Sequence, residues 1–228
     1  MAEELDNIGE SFEEKVSNFE HFVEEKKKPL LIGGGVVLVL AVALVYVFAM
    51  WLPNRNAEAQ KAMYMAQFAF EKDSFALALN GRAVGTTPFA GFAELSSKYS
   101  FTKAANLSNY YAGVCCLNLK KYDEAVSYFN KFSTKEPIIG ALALNLTGDA
   151  LSEQGKMDEA IGYYEKAAKF SENEQFTPFY LMKAGNALEK QKKYADAKGY
   201  YEQIKQKYPK SDEGRDIEKY IARASAAE

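Results

Sequence analysis

Enzyme chemistry starts from a base, a nucleophile or a metal ligand, and few residues of this 228-residue chain qualify. The single histidine, His21, precedes a long apolar run, so everything after that run lacks an imidazole to act as general base or ligand. The two cysteines, Cys115 and Cys116, are adjacent within a helical pattern. Neighbouring side chains on a helix diverge by about 100°, which keeps them from bridging. They read as buried thiols, and their distance from the N-terminus rules out a lipid attachment site. No nucleophile motif, metal-ligand spacing or phosphate-binding loop occurs, and Gly33-Gly34-Gly35 lies inside the apolar run rather than after a strand. The many carboxylates read as solvated helix faces. The chain is therefore expected to be no enzyme, to need no cofactor and to take no small-molecule substrate.

Net charge is -3. Residues 1–28 alone contain nine acids (Glu3, Glu4, Asp6, Glu10, Glu13, Glu14, Glu20, Glu24, Glu25) and four lysines, hence -5, which leaves +2 for the rest. No basic face points to nucleic acid.

From Leu30 to Leu52 run 23 uncharged residues, which at about 1.5 Å each reach roughly 34 Å, enough to cross a bilayer core. Fourteen of them are Leu, Ile, Val or Phe. At about -0.3 to -0.6 kcal/mol each, these favour insertion by roughly 4 to 8 kcal/mol. A cleaved signal peptide is the alternative, since Ala57-Glu58-Ala59 offers a small-x-small site, although its apolar region is typically only about 7 to 15 residues long. Lys26, Lys27 and Lys28 abut the run on its N-terminal side, and only Arg55 and Lys61 lie close on the other, which places the N-terminus in the cytoplasm. Tyr46 and Trp51 then fall at the outer interface. The glycines at 33–35 would admit a close partner helix or simply face lipid.

Before the run, Leu5, Ile8, Phe12, Val16, Phe19 and Val23 draw one apolar stripe along a helix. Its acidic opposite face is repelled by anionic headgroups, so a protein partner is favoured over lipid as its cover.

After the run the chain repeats itself. Gly113, Gly148 and Gly185 are spaced by 35 and 37 residues, and Ala125, Ala160 and Ala197 keep those intervals. Phe129, Tyr164 and Tyr201 follow each alanine by four, Tyr122, Met157 and Tyr194 precede it by three, and Pro137 and Pro209 close the first and third units. This pattern resembles the tetratricopeptide repeat (TPR) family, with Glu172 where the middle unit should have its proline. The glycines would mark helix crossings, with the aromatics filling space between successive helix pairs. Helices are expected over 103–119, 122–134, 138–154, 157–170, 177–191 and 194–207, with turns at Lys120-Lys121, Gln154-Gly155-Lys156 and Lys192-Lys193.

The expected fold is all-α: a single N-terminal transmembrane helix followed by a TPR-type helical-repeat superhelix. Residues 1–28 form an acidic amphipathic cytoplasmic tail, 29–53 the membrane helix and 54–102 a degenerate first repeat and linker of unfixed register. Residues 103–211 form three repeats and 212–228 a capping helix.

The TPR resemblance implies a concave groove presenting Tyr110 and Val114 from the first unit, Asn145 and Asp149 from the second, and Met182 and Asn186 from the third. These positions lack the paired basic residues of the family's carboxylate clamps. Asn145 and Asn186 would bond an extended peptide backbone, or the face would simply be solvated.

The order of parts, with the Tyr208-Pro209-Lys210-Ser211 exit, also resembles the bacterial YfgM family. That resemblance implies a single-pass protein of the inner (cytoplasmic) membrane with periplasmic repeats, ancillary to the Sec translocon. Its partners would be translocon subunits, a membrane-anchored prolyl isomerase-like chaperone and secreted clients. The competing expectation is a signalling or cell-envelope assembly scaffold, and a third is a noncatalytic subunit of an envelope enzyme.

Overall fold

The computed structural model describes Lys15 and residues 26–82, 87–170 and 172–227. The apolar stripe from Leu5 to Val23, and His21 with it, lies outside the described residues. The chain divides into two compact units, Met1–Asn54 and Arg55–Glu228.

In the first unit, α1 spans Lys27–Tyr46 and passes into a π-helical turn over Val47–Trp51. Pro53 accounts for that turn: it has no N–H for the carbonyl of Ala49, and its ring crowds that carbonyl. The Leu52 N–H reaches back instead to Val47 O, five residues away. Large apolar side chains from Leu31 to Trp51 are exposed, as lipid-facing residues would be. This helix is long and apolar enough to cross a membrane, a test that a signal sequence near an N-terminus also passes.

The second unit is a stack of helix pairs, with all but the first turn of α2 (Leu52–Glu71), α3 at Phe75–Asn80 and α4 at Phe92–Lys98. Three regular pairs follow: α5 (Lys103–Asn118) with α6 (Tyr122–Lys131), α7 (Pro137–Glu153) with α8 (Met157–Phe170), and α9 (Thr177–Lys190) with α10 (Tyr194–Lys207). The helix α11, Asp212–Ala227, packs on α10. The helix expected over 122–134 ends early, because the chain leaves the helical conformation at Phe132 to begin its exit turn. A two-residue antiparallel hairpin, β1 (Gly81–Arg82) and β2 (Phe89–Ala90), interrupts the otherwise helical fold. Gly81 permits it: its φ is +72°, and a Cβ there would meet Phe89 O at 2.3 Å.

Within each regular pair, the glycine of the first helix receives the aromatic ring of the second. A Cβ built on Gly113 would stand 2.7 Å from Phe129, one on Gly148 2.6 Å from Tyr164, and one on Gly185 2.4 Å from Tyr201. The aromatics thus close the crossing inside a pair, and the expectation that they fill the space between pairs is revised. Ala125, Ala160 and Ala197 are fully buried behind them.

Each pair turns through one residue in left-handed backbone: Lys120 (φ 60°), Gly155 (φ 77°) and Lys192 (φ 61°). The turns share one hydrogen bond, from Lys121 N to Cys116 O, Lys156 N to Leu151 O and Lys193 N to Leu188 O.

The same device fixes the register of the irregular first unit. Asp73 is left-handed at φ 53°, and Ser74 N donates to Ala69 O. Ala78 then matches Ala125, and Ala66, twelve residues earlier, stands where Gly113 stands; both alanines are fully buried. This unit's second helix stops after six residues, and the hairpin and α4 take over. Phe92 of α4 fills the space, stacked on Tyr111 at 4.9 Å and edge-on to Phe70 at 6.3 Å.

Exit turns are clamped by side chains. Asn106 Nδ2 donates to Ser133 O and its Oδ1 accepts from Ser133 N. Where Glu172 replaces a proline, Asn173 Oδ1 accepts from the N–H groups of Gln175 and Phe176 at 3.0 and 2.7 Å. After Pro209, Ser211 Oγ accepts from Gly214 N at 2.9 Å and starts α11.

Candidate functional site

The first helices of successive pairs line an open groove of about 1070 Å³, built from α5, α7 and α9 and closed by α11. Asp149 sits at its centre. Lys183 Nζ, one repeat further on, donates to both Asp149 carboxylate oxygens at 2.7 Å. Tyr164 OH donates to Oδ1 at 2.8 Å, and Asn145 Nδ2 lies 3.5 Å from Oδ2. The Lys183 ammonium also stands over the rings of Phe179 and Tyr164, at 5.0 and 5.5 Å. Both members of this ion pair are about three-quarters covered, so it is screened less than a surface pair.

The remaining groove acids are partnered too. Glu189 accepts from Arg223 of α11, and Glu153 accepts from Tyr122 OH at 3.2 Å. Asn186 Oδ1 accepts from Tyr201 OH at 3.1 Å. Burial, followed by the Asp149 charge, raises the Tyr164 phenol well above the ordinary tyrosine range, and burial with Glu189 nearby does the same for Tyr201. Both phenols are neutral donors at any physiological pH. Burial pushes the Cys115 and Cys116 thiols up to about 12. Among the described residues, no group of three His, Cys, Asp or Glu is placed to hold a metal ion. The groove's chemistry is hydrogen bonding and charge pairing, suited to holding a polypeptide segment.

Of the six residues named for this surface, the structure brings Asp149 and Asn186 together in the groove lining. Asn145 lies beneath them, 2% exposed, as a support for Asp149. Met182 is buried in the C-terminal core, while Val114 packs half-buried against the N-terminal one. Tyr110 is half-buried among Tyr111, Phe129 and Phe132, with ring centroids 5.7, 6.2 and 5.4 Å away. Lys183, Glu153, Glu189 and Arg223 were missed. A sequence signal for Lys183 existed: it follows Asp149 by 34 residues, about one repeat, and carries the opposite charge.

Models of the tetratricopeptide repeat match residues 108–133, 139–175 and 180–211. The three regular pairs are therefore tetratricopeptide repeats, which imply a protein-interaction scaffold, and no enzymatic family is indicated. A crystal structure of kinesin-light-chain TPR-like repeats from Podosopora anserina has a similar fold at 14% identity and a TM-score of 0.52, over 75% of this chain and 87% of that one. A TPR-repeat protein from Bacteroides fragilis aligns at 17% identity with a TM-score of 0.40, over 74% of this chain and 84% of that one. Comparison with curated proteins finds no match.

Proposed function

We propose that this chain is a non-catalytic, membrane-anchored TPR scaffold, with its repeats in the periplasm and its groove holding segments of other proteins. In this reading it is an ancillary subunit of the Sec translocon, working with a membrane-anchored prolyl isomerase-like chaperone on secreted or envelope proteins. One observation carries the binding role: an open groove whose Asp149, Glu189 and Glu153 each accept a hydrogen bond from within the fold, so that the lining offers hydrogen-bonding and charge-pairing groups rather than a reactive centre. Anchoring is supported by the exposed apolar helix after Lys26-Lys27-Lys28, and the translocon role by the order of parts alone.

Co-purification in mild detergent, with crosslinkers placed at Gly33 and at Asn186, tests this. Recovery of translocon subunits supports the reading. A stoichiometric complex lacking them overturns it in favour of a signalling or envelope-assembly scaffold. An alkaline-phosphatase fusion after Glu228 should be active, and an inactive one reverses the topology. Deleting residues 1–25, with the stripe Leu5, Ile8, Phe12, Val16, Phe19 and Val23, should leave the repeats folded while weakening association with a membrane partner.

A further inference from the structure

Phe101 is the most exposed of the large apolar residues among those described, at 91%, and its backbone is left-handed at φ 70°. Each property is unfavourable by itself. Left-handed backbone crowds an aromatic Cβ where glycine or asparagine would turn the chain more easily, and a fully exposed ring gains nothing from burial. The turn is nonetheless held rigidly. Arg55 Nη2 donates to Lys98 O at 2.5 Å, and its guanidinium stands 5.3 Å over the Tyr99 ring. On the other side of Phe101, Asn56 Oδ1 accepts from Ala104 N at 2.9 Å, and Thr102 caps α5 through Ala105 N. Residues 98–104 are thus fastened at both ends to residues 55 and 56.

Arg55 follows the apolar run by only a few residues. Four residues of chain separate it from Trp51, so the two Cα atoms are at most about 14 Å apart whatever the conformation between them. The interfacial layer beyond the hydrocarbon core is itself about 5 to 8 Å thick on each side. A turn fastened to Arg55 is therefore within reach of that layer. Lys98 and Lys103 flank the ring; Lys98 is more than half exposed beside Glu94, and Lys103 is exposed. Lys131 shares with Phe101 the lining of an adjoining cavity of about 620 Å³.

We infer that the Phe101 turn is a second membrane contact, the ring entering the interfacial layer of an anionic bilayer while Lys98 and Lys103 meet its headgroups. This rests on the reading of residues 30–52 as a membrane span. A phenylalanine flanked by lysines matches the make-up of surfaces that bury their apolar residues at the headgroup–acyl boundary while basic residues stay with the headgroups.

The full chain reconstituted in nanodiscs of phosphatidylcholine and phosphatidylglycerol supplies the test. Phe101→Cys is labelled with a small environment-sensitive fluorophore, Cys115 and Cys116 being buried. Lipids carrying a spin label near the headgroup should quench it about twofold more than the same label at Glu159→Cys on α8. Trp51, the only tryptophan, reports the anchor in the same sample through its quenching by the same lipids. Quenching at both sites supports the contact. Quenching of Trp51 with an unquenched label at 101, whether water-exposed or blue-shifted against protein, overturns the contact and leaves the anchor standing. Quenching of neither overturns both.

Discussion

The N-terminal and C-terminal halves of the helix-pair stack close the same kind of helix crossing differently. In the N-terminal half it is closed by hydrocarbon: Phe129 lies on Gly113 with Tyr110 edge-on to it, and a run of ring contacts continues from Tyr110 through Tyr111 to Phe70 and Phe92. In the C-terminal half the rings at the crossings carry hydroxyls, and both crossing hydroxyls find an acceptor. Tyr164 donates to Asp149 and Tyr201 to Asn186. Tyr200 and Tyr208 reach back across one repeat to Glu165 and Glu172. The residue after each crossing glycine decides which form appears. Val114 faces a phenylalanine, whereas Asp149 and Asn186 face tyrosines fifteen positions later. A buried hydroxyl is tolerated only where the first helix supplies an acceptor.

The largest expected effect lies in the hydrocarbon half. With the Cys115 and Cys116 thiols raised to about 12, the thiolate fraction at pH 8 should fall about a thousandfold below that of a free thiol, before burial slows access further. Alkylation kinetics of the folded chain measure this, and rates near those of free cysteine would show that this half opens readily. Next comes the crossing itself. Gly148→Leu should destabilise the chain by about 3 kcal/mol, seen as a lowered urea midpoint by circular dichroism, since even a Cβ there meets Tyr164 at 2.6 Å.

The hydroxyl code is tested by exchange. Tyr164→Phe should cost about 1 to 2 kcal/mol by removing a donor from Asp149, and Phe129→Tyr a similar amount by burying a hydroxyl opposite Val114. Val114→Asn should recover part of the second loss in the same urea titration; no recovery would break the rule drawn from the two halves. The smallest effect is in the turns. Lys192→Gly should stabilise by about 0.5 to 1 kcal/mol, while Gly155→Ala should cost about as much despite open space around it, because only φ is at issue. Thermal melts of the two variants should shift in opposite directions.

Much of the regular array was legible in the sequence because its determinants are local and recur: a small residue, an alanine twelve positions on, an aromatic four beyond that. The first unit obeyed the same spacing, with Ala66 and Ala78 at the equivalent positions, but alanine at a crossing is too common to stand out, and the second helix ends before its aromatic is due. The groove was less legible. Asp149 and Asn186 could be placed by register, but Tyr110, Asn145 and Met182 share a position that packs inward whatever its polarity, Asn145 being as buried there as Met182. Lys183 could have been found only by pairing opposite charges about one repeat apart, since its long side chain crosses to the neighbouring pair.

For anyone engineering this scaffold, the irregular first unit matters most. Replacing it with a consensus repeat would regularise the stack and lengthen α3, but it would also discard the Arg55 clasp and the turn that clasp holds. The parts least like a generic array are the hardware that distinguishes this chain from any other stack of helix pairs.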